Sequence, residues 1–300
     1  MTTSPLSRRR VYAMLMLVLM LWAGNSIIGR AVRDDIPPFS LAFFRWTGAL
    51  LILLPFAWRK IAADWPVIRA TWPRILLLGA LGVGAFNALL YSGLRLTTAT
   101  NALLIQAAIP ALVLVFDFTF FRNRPSWAQI AGVAIAVAGV ALIIFEADPA
   151  RLLTLHFGAG DLIILGAVVV WSLYTALLRI RPPIEPLSFL ALTFLVGVAA
   201  MLPLAAGEWQ SVPIRFTPLV IGGIAYVTLL PSIAAYLMFN RAVAEIGAAD
   251  AGQVISLQPL FGALLAAVLL GEALHPYHLA GMLLILLGIA VPLAARTRAP

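Results

Sequence analysis

The stretch Gly132-Val133-Ala134-Ile135-Ala136-Val137-Ala138-Gly139 returns as Gly281-Met282-Leu283-Leu284-Ile285-Leu286-Leu287-Gly288, displaced by 149 positions. Working outward from it, the same displacement sets Trp22 on Trp171, Arg30 on Arg179, Ala99 on Ala248 and Pro110 on Pro259. Pro38-Phe39-Ser40 falls on Pro186-Leu187-Ser188 with a slip of one. The chain therefore divides into two copies of one unit, 1–149 and 150–300. Each copy holds five apolar runs long enough to cross a bilayer. Five is odd, so the second copy enters from the opposite side. The expected fold is an all-α integral membrane protein of ten transmembrane helices, arranged as two inverted five-helix repeats around a shared central site.

Composition bounds the class. Of 300 residues, 63% are hydrophobic and 11% charged, and the mean hydropathy is +1.03. Soluble domains carry about 25% charged and about 45–50% apolar residues. A spanning helix needs about 20 apolar residues, so ten use most of the length. The runs lie near 11–32, 39–58, 73–94, 98–121, 127–145, 160–180, 187–206, 217–238, 248–270 and 276–295. They are continuous, which fits helices; barrel strands would alternate over about ten residues.

A net charge of +8 invites a nucleic-acid partner, but the cations sit at span ends and in short loops. With the N-terminus inside, 14 of the 20 basic residues fall on the inner side. The positive-inside rule then places both termini in the cytoplasm of an inner (plasma) membrane protein. Ser7-Arg8-Arg9-Arg10 before the first run resembles a secretion signal. The run is too long for a signal core and lacks a small-x-small exit, so a retained first helix is expected. The absence of cysteine excludes disulfides and thiolate metal sites.

Proline inside an apolar span removes a backbone donor. Pro110 cannot bond the carbonyl of Gln106, nor Pro259 that of Ile255. These prolines either kink their spans for packing or shape a cavity, and their matched placement favours the second role. Gly132, Gly139, Gly281 and Gly288 are expected to be packing seams where helices approach closely.

Polar and aromatic residues deep in apolar spans are costly. Span one carries Trp22 and Asn25; span three Phe86, Asn87 and Tyr91; span four Asn101 and Gln106; span six Trp171 and Tyr174. Span eight adds Tyr226 and Tyr236, and span nine Gln253 and Ser256. Asn87 and Tyr91 share a helix face, as do Trp171 with Tyr174 and Gln253 with Ser256. Each alone is compatible with core packing or interhelical hydrogen bonding. Together they outline an amphipathic pocket with aromatic walls and a few amides and hydroxyls, suited to a small, partly apolar metabolite. Inside the spans, Arg45 and Asp117 are expected to pair with polar groups or reach the interface rather than take part in transport. No carboxylate pair lies at mid-membrane, which argues against proton or sodium coupling.

Leu21-Trp22-Ala23-Gly24-Asn25 and Pro38-Phe39-Ser40-Leu41-Ala42-Phe43-Phe44-Arg45-Trp46 resemble motifs of the EamA family, within the drug/metabolite transporter superfamily. Gln258-Pro259-Leu260-Phe261-Gly262, Gly271-Glu272 and His278-Leu279-Ala280-Gly281 are similar to that family's second-half signature. The resemblance covers nearly the whole chain, is strongest to YddG-type members, and implies an exporter of aromatic and other neutral amino acids. It places Trp22, Asn25, Arg45, Pro259 and Glu272 on motif positions. Arg122-Asn123 stands where the first half should repeat Gly271-Glu272, so the acidic residue is missing there.

The function expected is secondary transport of small organic metabolites, with a small-molecule substrate and the lipid bilayer as partners and no cofactor or metal. Oligomeric state stays open. Nucleotide sugars, sugar phosphates and amines are the alternative cargoes, the phosphorylated ones wanting more cavity cations than Arg45. An intramembrane enzyme is disfavoured because no HExxH, GxSxG or aspartate pair occurs, and His156, His275 and His278 lie at loops or span ends. ATP-driven transport lacks a P-loop.

Overall fold

The computed structural model describes residues 7–97, 99–106, 108–145, 148, 158–270 and 275–297. Among these every regular element is helical, as an apolar solvent demands of backbone that must satisfy its own hydrogen bonds. In chain order they are α1 (Arg8–Ala31), α2 (Pro38–Gly79), α3 (Phe86–Leu96), α4 (Ala99–Gln106), α5 (Ile109–Phe121), α6 (Trp127–Ile144) and α7 (Ala159–Leu177). There follow α8 (Pro186–Trp209), α9 (Pro218–Val227), α10 (Ala235–Ile246), α11 (Ala248–Val254), α12 (Gln258–Leu270) and α13 (Pro276–Thr297). Proline opens α2, α8 and α9, where its missing N–H has no intrahelical partner to lose and its φ is already helical.

Five uninterrupted helical runs are long and apolar enough to cross a membrane: Arg8–Ala31, Pro38–Leu96, Ala159–Ile180, Pro186–Trp209 and Pro218–Ile246. Shorter apolar helices lie at Ile109–Phe121, Trp127–Gly139 and Leu279–Pro292. The run Pro38–Leu96 is not straight. Arg45 hydrogen-bonds Asn87 and Tyr91, which a straight helix would carry about 60 Å away at 1.5 Å per residue. The reversal falls within a segment holding Pro55, Pro66 and Pro73, each of which deletes a helical hydrogen bond. The link 59–72, expected as a loop, is thus helical throughout. Trp58, Trp65 and Trp72 stand exposed along it at seven-residue intervals, interleaved with Arg59, Lys60, Arg69 and Arg74. Its repeat counterpart, 210–217, is short and non-helical.

The halves pack against each other by a rule that survives exchanging the repeats. Helix α2 lies on α8, and α6 on α13; α3 lies on α7 as α1 lies on α10. The glycine seams fix the sense of the crossing. A Cβ on Gly139 would meet the Gly281 carbonyl oxygen at 2.6 Å, and one on Gly288 would strike the carbonyl of Gly132. Gly132 therefore opposes Gly288 while Gly139 opposes Gly281: the helices run antiparallel, as an inverted repeat requires. Helix starts repeat the relation. Glu208 on α8 accepts from the backbone N–H of Ser40 at 2.8 Å, and Asp64 on α2 accepts from that of Glu185 at 3.0 Å. Each carboxylate meets orphan donors at the start of the other helix.

Two departures from α-helix also match across the halves. Ala80–Ala85 and Thr228–Ala234 are π-helical turns, wide turns that often accompany functional sites. Spans four and nine break just ahead of Pro110 and Pro259, each the second residue of a fresh helix. The buried core holds Trp46, Tyr174, Tyr236, Phe189, Phe194 and Phe239. Leu51, Phe56, Leu283 and many other large apolar side chains face outward, as suits lipid rather than water.

Candidate functional site

The repeat partners Trp22 and Trp171 meet edge to face at the centre of the molecule, ring centroids 5.0 Å apart. Around them lies a cavity whose empty space totals about 340 Å³, of which about 20 Å³ can hold the centre of a water molecule. That is room for one or two waters, so the site is closed up in this state.

Its wall is aromatic. Phe86 packs on Trp171 at 4.7 Å, Tyr236 on Trp171 at 5.7 Å and on Trp22 at 6.0 Å. The π turns aim these rings. Trp22 donates from Nε1 to the Pro231 carbonyl in the second turn at 3.2 Å, while the Tyr236 hydroxyl donates to the Gly82 carbonyl in the first at 2.5 Å. Widened turns leave such carbonyls to side chains instead of the helix ladder.

Besides Leu90 and Ile109, the remaining lining is polar and gathers Asn25, Ser26, Arg45, Asn87, Gln106 and Gln258. Arg45 is 1% exposed. Its Nε donates to Ser232 Oγ at 2.5 Å, and its Nη1 reaches Asn25 Oδ1 at 3.0 Å, Asn87 Oδ1 at 2.9 Å and Tyr91 Oη at 2.8 Å. Tyr91 in turn donates to Asn25 Oδ1 at 2.8 Å. Gln258 on α12 donates to Gln106 Oε1 on α4 at 3.3 Å, bridging the two broken spans. Among the described residues Arg45 is the one charged group on the lining.

Of the residues singled out from sequence, Trp22, Asn25, Phe86, Asn87, Gln106, Trp171 and Tyr236 line this cavity. Tyr91 stands behind it in the Arg45 cluster. Tyr174 packs on Trp171 at 5.0 Å and donates to Asn240 at 3.1 Å. Tyr226 is brought elsewhere: its hydroxyl donates to the Leu21 carbonyl at 3.0 Å, bracing α9 against Gly24 of α1. The side chains of Asn101, Gln253 and Ser256 lie outside the described residues, as does Glu272. Pro110 is buried at the head of α5.

Arg45 pairs with polar groups, as expected, meets no acid among the described residues, and also lies on the cavity lining. Its signal in the sequence is the lone cation well inside an apolar span, with only apolar or small residues three and four positions away. Asp117 behaves as expected: it is 4% exposed and accepts from Asn123 at 2.9 Å. Arg179 Nη2 of the other half lies 3.1 Å from its Oδ1 and donates to its Oδ2 at 3.4 Å. A second, polar recess of about 820 Å³ lies beside Arg179, Arg181, Asn240 and Gly247. Tyr174, bonded to Asn240 and packed at a tilt on Trp171, links a residue of that recess to one of the central cavity.

Two inverted helical repeats that close over a polar and aromatic cavity make this a membrane transport protein of the two-repeat class. The EamA-like transporter family model matches residues 9–145 and again 158–293. The chain belongs to the EamA-like transporter family and is a transporter of small metabolites, not an enzyme. It is 28% identical over 216 residues to the uncharacterized transporter YyaM of Bacillus subtilis, covering 71% of this chain and 70% of YyaM. An uncharacterized transporter of Archaeoglobus fulgidus is 26% identical over 271 residues, 88% and 90% of the two chains. A protein of Streptantibioticus cattleyicolor named as a probable terminal-alkyne amino-acid exporter is 28% identical over 279 residues, 92% and 90% of the two. A solved crystal structure superposes with a TM-score of 0.75 at 21% identity, covering 98% of this chain and all of that one, a likeness of fold.

Proposed function

We propose that the protein is a secondary carrier that exports aromatic and other neutral amino acids across the plasma membrane. It spans that membrane ten times, with both termini in the cytoplasm, and works by rocking one repeat against the other. The observation that carries this reading is the contact of Trp22 with Trp171, repeat-related rings meeting in a cavity bounded by both halves. Aromatic side chains there offer a stacking surface to an apolar body, and the amides offer directed hydrogen bonds. A site on the repeat axis is presented alike to either side as the halves tilt. The recess beside Arg181 and Asn240 then serves as the cytoplasmic vestibule, closed from the centre by Tyr174. The Streptantibioticus relative, named for amino-acid export, supports this class of cargo.

The test is counterflow in proteoliposomes loaded with unlabelled phenylalanine. Saturable uptake of labelled phenylalanine is expected, and it should persist when the pH gradient is collapsed, since no carboxylate among the described residues lines the cavity. Flux linear in concentration up to solubility would point to a pore and sink the carrier reading.

A further inference from the structure

Arg45 is a buried cation without an anion. Its four hydrogen-bond acceptors (Ser232, Asn25, Asn87 and Tyr91) are all neutral, and among the described residues it forms no ion pair. Burying a charge is costly unless an opposite charge accompanies it. The acceptors come from α1, α3 and the second π turn, so three separate elements hold the guanidinium in one orientation. They occupy Nε and Nη1. Nη2 has no partner among the described residues, and Arg45 lies on the cavity lining. Ser26, 1% exposed on the same lining, likewise has a hydroxyl without a partner.

We propose that Arg45 anchors a carboxylate of the substrate and that the carboxylate, not the ammonium, is the group this site recognises. A planar guanidinium held by its neighbours presents fixed donors to a planar anion, and the Ser26 hydroxyl is a further donor on the same lining. The aromatic part of the lining, built from Trp22, Phe86, Trp171 and Tyr236, takes an apolar or aromatic body. Among the described residues no acidic side chain lines the cavity to meet an ammonium. A phosphate monoester, with about two charges, would find one guanidinium and, among the described residues of the lining, no second cation. The substrate class is therefore the aryl or alkyl monocarboxylate, of which an amino acid is one member. This rests on the cavity being the transport site.

The test uses the purified full-length protein and three probes: phenylalanine, 3-phenylpropionate, which lacks the ammonium, and 2-phenylethylamine, which lacks the carboxylate. Each is scored for inhibition of labelled phenylalanine counterflow and for thermal stabilisation in detergent. Phenylpropionate is expected to act within about threefold of phenylalanine, and phenylethylamine about tenfold or more weakly. Arg45→Gln, which keeps polar reach but loses charge and fork, is expected to abolish stabilisation by both carboxylates. Arg45→Lys should restore part of it, having the charge without the fork. Wild-type protein that responds to phenylethylamine as strongly as to phenylalanine overturns the proposal, even if Arg45→Gln fails to fold. So does an Arg45→Gln protein that elutes as wild type and keeps its response to carboxylates. Stabilisation by phenylpropionate without any phenylalanine flux would sink amino-acid export while leaving the Arg45 anchor standing. No flux and no stabilisation by either carboxylate would overturn both.

Discussion

Trp171 touches more of the cavity's aromatic surface than any single amide does, with Trp22, Phe86, Tyr174 and Tyr236 all within 5.7 Å of its ring centroid. Trp171→Ala should cut saturable flux about tenfold, equivalent to ~1.4 kcal/mol, while the variant elutes from gel filtration as wild type does. Wild-type flux in that variant would remove Trp171 from the site. At this scale the sequence disclosed which residues are anomalous in an apolar span, because a tryptophan or asparagine there stands out against leucine. It did not disclose which anomalies meet. Tyr226 and Tyr236 look alike in one dimension, yet one braces α1 and the other lines the cavity. Arg45 was legible as an oddity but its partners were not, since they come from spans one, three and eight, and only folding brings them to it.

At the scale of elements, the α6 and α13 crossing is the sharpest requirement. The Cβ of any larger residue at Gly139 points at backbone, namely the Gly281 carbonyl and the Ile285 nitrogen at 3.0 Å, and backbone cannot turn aside as a side chain can. Gly139→Leu should cost about 1–3 kcal/mol, as overpacking does, seen as a lowered melting temperature in detergent. Gly222 has open space around it, so Gly222→Leu should melt within a degree or two of wild type. The seven-residue glycine spacing made this seam readable beforehand. The helical link at 59–72 was not readable: Asp64, Arg69, Pro66 and Pro73 break the apolar pattern and look like loop chemistry. The breaks before Pro110 and Pro259 were foreseeable from the missing N–H alone.

For the whole molecule, rocking requires contacts between the halves to open alternately. Asp117 with Arg179 joins α5 to the turn just after α7 at one end, and Thr97 with Asp161, hydrogen-bonded at 2.6 Å, ties the α3 exit to the α7 entry at the other. The chain has no native cysteine, so paired substitutions carry no background. Asp117→Cys with Arg179→Cys, or Thr97→Cys with Asp161→Cys, bridged by a short bifunctional thiol reagent, should each stop counterflow, and a cleavable bridge should let it resume. Flux that continues with either end bridged would end the rocking mechanism. The doubled architecture was legible from the 149-residue displacement, whereas the closed state of the cavity, a matter of side-chain contact, was not.

Perfect inverted twins would make the two facings degenerate, leaving solute concentrations alone to choose between them. The ledge at 59–72, with its exposed tryptophans, has no twin, so lipid binding to those rings in one leaflet would favour one facing over the other. Influx and efflux should therefore half-saturate at unequal solute concentrations even at zero gradient, with the bias set by that leaflet's lipids.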